Sequence, residues 1–169
     1  MSATMAPSKT ASTQSFLDRT TAKMTPTVMR VVAAVAAGAL LLALDVPWVL
    51  LNHLSRGLYA GVGSDISRWA IPVLWLGVAV AQVCFIGAYS PTSLAMASIF
   101  GAALGGVVYG VFNATSLVAF SNWTPLRALA DTAWGVAMLS AVAVVYATVF
   151  QSIVRRQVNN RVGNRFSST

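Results

Sequence analysis

The stretch VMRVVAAVAAGALLLALDVPWVLLNHL, residues 28–54, decides the fold class. At 1.5 Å per residue it is long enough to cross a hydrocarbon layer about 30 Å thick, which needs roughly 20 residues. It shows no alternation of apolar and polar positions, so a membrane strand is excluded and a helix is predicted. Within it stands Asp45, one of only four acidic residues in the chain, all aspartates. A carboxylate in hydrocarbon costs at least about 2.5 kcal/mol, so Asp45 requires a partner, a wet cavity or a function.

Working outward, three further apolar segments run about Trp69 to Tyr89, Thr92 to Phe120 and Leu126 to Val154. Hydrophobic residues make up 57% of the 169-residue chain and charged residues 9%, with a mean hydropathy of +0.72. A soluble domain carries about 25% charge, so a soluble core is excluded. Four transmembrane helices are expected. Ser90-Pro91 and Ser121 to Pro125 are tight links, which favours an all-α, antiparallel up-down four-helix bundle with both termini on the same side.

The net charge of +7 does not point to nucleic acid, because the basic residues flank the spans instead of gathering beside aromatics on a soluble module. Lys9, Arg19, Lys23, Arg30, Arg155, Arg156, Arg161 and Arg165 lie on the terminal side, against Arg56, Arg68 and Arg127 in the other connections. That asymmetry places both termini in the cytoplasm or the mitochondrial matrix. Residues 1–27 form a Ser/Thr-rich basic arm compatible with a targeting segment, 28–154 the membrane domain, and 155–169 a basic tail suited to anionic lipid headgroups or a partner. The arm slightly favours the mitochondrial inner membrane.

Antiparallel topology turns scattered polar residues into a constellation. Asp45, Asn113 and Asp131 would lie ~9, ~12 and ~9 Å below one membrane boundary. Trp48 and Trp134 are expected beside them, with their indole N–H groups seeking acceptors. Helix one presents Ala34, Gly38, Leu41, Asp45, Trp48 and Asn52 on one face. Gly101 with Gly105, and Gly106 with Gly110, mark close-packing faces of helix three, and Gly135 lies on the matching stripe of helix four. Two carboxylates meeting in low dielectric would share a proton or be neutralised by Arg56, Arg127 or His53 from the boundary. The structural reading is a polar clamp fixing helix register, and the functional one is a proton, ion or solute path. Gln82 is expected to bond between helices, the lone Cys84 to be a small buried residue, and Trp69, Trp123, Tyr59 and Tyr89 to be interface anchors.

These residues carry a family resemblance. Leu44-Asp45-Val46-Pro47-Trp48, Val108-Tyr109-Gly110-Val111-Phe112-Asn113-Ala114-Thr115-Ser116-Leu117 and Asp131-Thr132-Ala133-Trp134-Gly135 make the chain resemble the DUF2177 family of membrane proteins, a domain of unknown function. The resemblance implies a four-helix integral membrane fold without an established activity. It also implies an aspartate where Asn113 stands and an asparagine where Ser116 stands, with Pro47 a further departure. Losing a carboxylate at Asn113 removes one acid from any three-acid proton relay and leaves a hydrogen-bonding clamp intact.

Among function classes, an enzyme is the least expected: no nucleophile pair, metal-ligand spacing or phosphate loop is present, and no cofactor is implied. The leading expectation is a structural or accessory subunit of a larger membrane assembly, embedded in the lipid bilayer and contacting other membrane subunits or a second copy. The alternative is a small proton, cation or polar-solute transporter using Asp45 and Asp131.

Overall fold

A computed structural model of the chain describes residues 24–54, 67–89 and 93–166. The N-terminal arm to residue 23, the connection 55–66 and the Ser90-Pro91 turn lie outside the described residues, as do the side chains of His53 and Trp69. The described chain is helical, with α1 at Pro26–Val49, α2 at Ser67–Tyr89, α3 at Leu94–Ala119 and α4 at Pro125–Phe166. Thr25 caps α1 by accepting from the Val28 amide, and Ser93 caps α3 by accepting from the Met96 amide. Each cap satisfies a backbone donor that has no partner within the first turn of its helix.

Three helical stretches are long and apolar enough to cross a membrane: Pro26–Asn52, Leu94–Ala119 and Pro125–Asn160. The described apolar stretch of α2, Leu76–Tyr89, is shorter. Their outer faces carry Val31, Val35, Val80, Phe85, Ile99, Val107, Val111, Val118 and Leu129 exposed. That is the surface expected of helices whose solvent is hydrocarbon.

Helix α4 is the central element, with its most extensive interface against α3 and its next against α1. Among the described residues α2 packs chiefly on α1 and touches α3 little, despite the short link to it. Sequence adjacency therefore does not rank the interfaces; small residues do. A β-carbon at Gly101 would fall onto the Leu139 carbonyl, and one at Gly105 onto the Gly135 carbonyl. Gly135 in turn gives up its side chain to the ring of Tyr109. With lipid as apolar as leucine, such close backbone approach is what drives the pairing.

The inward residues fall on strict four-residue rows. On α1 they are Met29, Ala33, Ala37, Leu41 and Asp45, and on α3 Ala97, Gly101, Gly105 and Asn113 with Tyr109 between. On α4 they are Asp131, Gly135, Leu139, Ala143 and Ala147. Rows of this period are the ridges that interdigitate when small residues let helices cross closely. The stripe predicted through Ala34 and Gly38 is displaced by one residue to Ala33 and Ala37. Gly38 stays half-buried, with room for a β-carbon 3.8 Å from Val83. Gly106 and Gly110 also have room for a β-carbon, so the tight glycine pair of α3 is Gly101 with Gly105.

One further expectation changes. Cys84 is exposed, because the inward face of α2 is Ala79, Gln82, Val83 and Ile86, which turns position 84 outward. The basic tail continues α4 as helix to Phe166, making a rod of 42 residues, about 63 Å long. Gln157 is buried and donates its amide to the Met24 carbonyl at 2.6 Å, tying that extension to the start of α1.

Candidate functional site

The site lies where the end of α1 meets the end of α3 and the start of α4. Pro47, inside α1, has no N–H to give the preceding turn, and the helix closes in a π-helical turn, Leu50–Leu54. The Asn52 side-chain amide donates to the Trp48 carbonyl at 3.2 Å, satisfying an acceptor in this irregular stretch. Trp48 is left on the inner side of α1, one turn beyond Asp45.

Both aspartates are buried, each 3% exposed, and so is Asn113 at 2%. The Trp48 indole N–H donates to Asp131 Oδ1 at 2.6 Å, and Asn113 Nδ2 donates to Asp131 Oδ2 at 3.0 Å. The Tyr109 hydroxyl donates to Asp45 Oδ1 at 2.8 Å. Asn113 Nδ2 also lies 2.8 Å from the Tyr109 carbonyl and 3.2 Å from Thr132 Oγ1, so its two hydrogens serve three acceptors. Its Oδ1 accepts the Trp123 indole N–H at 3.0 Å. Donors from α1 and α3 thus converge on a carboxylate of α4, and a hydroxyl of α3 reaches a carboxylate of α1. Three helices are tied by these side chains.

Aromatic rings wall the cluster. Trp48 and Trp134 stack with centroids 4.7 Å apart and planes 10° from parallel. Phe112 meets Trp123 edge-on at 5.6 Å. The Trp134 indole nitrogen is fully buried and finds no acceptor among the described residues. Arg127, which the sequence offered as a neutralising cation, donates to the Asn122 carbonyl at 3.4 Å.

The structure therefore brings Asp45, Asn113, Asp131, Trp48 and Trp134 together. It adds three residues that sequence reasoning did not assign there. Tyr109 lies one turn before Asn113 on the same row, a spacing that could have found it. Thr132 is the neighbour of Asp131. Trp123, which the sequence offers as an interface anchor, is 5% exposed and lies within the α3–α4 link with its indole turned onto Asn113; its position ten residues after Asn113 gives no separate signal.

The family model of DUF2177, described as a predicted membrane protein, matches residues 30–149, a range that contains every residue of this cluster. The chain belongs to the DUF2177 family. It is an integral membrane protein, and its family description assigns no reaction or cargo. No curated protein and no solved structure matches this DUF2177 chain.

Proposed function

We propose that this DUF2177 chain is a structural or accessory subunit of a larger membrane assembly, with the polar cluster serving as a clamp that sets helix register. The carrying observation is that Trp48, Tyr109 and Asn113 spend their donors on Asp45 and Asp131 inside the helix bundle. Such a network specifies one packing in a solvent where apolar contact discriminates poorly between registers. The α4 rod supports the assembly part of the reading, since about 63 Å of helix exceeds about 30 Å of hydrocarbon and leaves a projecting segment. That segment exposes Val158 and Val162 beside Arg155 and Arg156.

The adjacency of Met24 and Gln157 supports an up-down bundle with both chain ends on one side. The basic flanks favour the cytoplasmic or matrix side, and the arm's composition favours the mitochondrial inner membrane. The reading assigns no catalytic chemistry. Its test is the mass of the species extracted from the native membrane in mild detergent. The full chain should migrate in an assembly larger than its own dimer, and truncation after Val154 should release it. Migration of the full chain on its own under every mild condition would refute the proposal.

A second reading, a proton, cation or small-solute transporter, is favoured by one observation: two buried carboxylates in one cluster with an indole N–H that has no acceptor among the described residues. Flux in proteoliposomes that is lost in both Asp45→Asn and Asp131→Asn, with folding retained, would replace the clamp by a conduction site.

A further inference from the structure

Gln82 stands at the middle of Leu76–Tyr89, the described apolar stretch of α2. About 9–10 Å of apolar helix separates it from either end. Its side chain is 6% exposed, and the bond between helices that the sequence leads one to expect is absent: Gln82 makes no hydrogen bond among the described residues. The amide is not sealed. The Trp134 indole nitrogen is the polar side-chain atom that is both fully enclosed and unpartnered among the described residues, so the Gln82 amide keeps some accessible surface. A primary amide brings two donors and an acceptor, and hydrocarbon satisfies none of them. Water and lipid ester groups lie nearer the boundary than this depth. What meets the amide is a polar group carried by another helix.

The surface beside Gln82 permits close approach. Gly77 and Ala81 are a small-xxx-small pair, and Val78 with Gln82 makes the adjacent four-residue row. Two such rows interdigitate with a second helix where small residues let the backbones cross closely. Gly77, Val78 and Ala81 are exposed, and a β-carbon at Gly77 would meet nothing within 4 Å. Among the described residues α2 leans chiefly on α1 and meets α3 little, with Phe85 and Tyr89 stacked on Phe100.

We propose that this face pairs with the same face of a second copy of the chain, α2 against α2, with the two Gln82 amides joined by reciprocal N–H···O bonds. A primary amide is its own complement, since each donates to the oxygen of the other. A second copy also carries the matching amide at the matching depth. Charge asymmetry inserts every copy the same way, and a two-fold axis normal to the membrane then brings Gln82 to Gln82. The side chain has three rotatable bonds and swings from its own bundle, where nothing accepts it, onto the partner. Val80 and Cys84, two residues to either side, project about 160° away from Gln82. Both are exposed, and both stay in lipid in the dimer.

That placement makes Cys84 a label site for the test. Pools of the full chain carrying a donor or an acceptor dye at Cys84 are mixed in phosphatidylcholine vesicles, and energy transfer is followed as lipid dilutes the protein. Transfer should report a dimer. Gln82→Leu should weaken association about tenfold, the effect of losing two hydrogen bonds between membrane helices. Gln82→Asn should retain part of the affinity, and Ala81→Ile should lose about tenfold or more through steric separation. In a Cys84→Ser background, oxidation should cross-link Ala81→Cys and leave Val80→Cys monomeric. Monomers at every dilution would overturn the proposal. So would a Gln82→Leu dimer as tight as the parent, or equal cross-linking at positions 80 and 81. Circular dichroism on each variant separates loss of pairing from loss of fold. A dimer with no other subunit would sustain this inference while failing the assembly reading, and an assembly holding a single copy would do the reverse.

Discussion

Trp48 on α1 and Asp131 on α4 are 83 residues apart in sequence and 2.6 Å apart through one N–H···O hydrogen bond. That bond fixes where the end of the first helix sits on the last, and the same indole stacks on Trp134. Replacing Trp48 by Phe keeps a ring in the stack and removes the donor. The expected loss is about 1 kcal/mol, in the range of hydrogen bonds between membrane helices, read by reversible unfolding in mixed micelles. Unchanged stability in Trp48→Phe, with a loss in Trp48→Ala, would assign the contact to ring stacking.

Asn113 is the residue with most to lose. Asn113→Leu removes the bond to Asp131 Oδ2 and the bond from the Trp123 indole in a single step. The cost should reach about 2 kcal/mol, the sum of two buried hydrogen bonds at about 1 kcal/mol each. Trp123 fluorescence should shift and broaden in the variant; an unaltered spectrum would mean that the indole has another acceptor.

The glycines of α3 divide into two groups that mutation should separate. Gly101→Ala and Gly105→Ala place a methyl group against the backbone of α4 and should cost about 1–3 kcal/mol. Gly110→Ala meets nothing within 4 Å and should be neutral or gain up to about 1 kcal/mol from helix propensity. Equal effects at Gly105 and Gly110 would contradict the close α3–α4 approach.

Cys84 gives a label site that needs no other substitution, since it is the single cysteine of the chain. It is exposed on α2, so a nitroxide placed there should be relaxed strongly by oxygen and weakly by a water-soluble nickel chelate. The helix bundle should retain its stability. Protection from both agents would place position 84 in an interface.

Much of this architecture was legible in the sequence because membrane spanning is governed by few variables. Apolar length gives the helices, and the expected meeting of Asp45, Asn113 and Asp131 corresponds to the bonds that Trp48, Tyr109 and Asn113 make to the two aspartates. What escaped has physical reasons too. A tryptophan near the end of a span has the same local sequence whether it floats in the headgroups or turns inward within a link, so the sequence alone reads Trp123 as an anchor. Tyr109 carries an apolar body on a glycine-rich stripe, and only the neighbouring carboxylate on α1 reveals its hydroxyl as a donor. The shift from Ala34 and Gly38 to Ala33 and Ala37 follows the crossing of α1 over α4, which one helix cannot report. Beyond Val154 hydropathy falls while the helix continues, and Gln157 there is buried with a backbone partner at Met24.

That last contact pairs with the one at Trp48. The bonds Trp48–Asp131 and Met24–Gln157 pin α1 and α4 together at both ends, over about 36 Å of one helix and 39 Å of the other. Two helices joined in this way cannot slide past each other by a turn without releasing both pins at once. Any tilt that one of them takes in a thinner or thicker bilayer is therefore shared by the other.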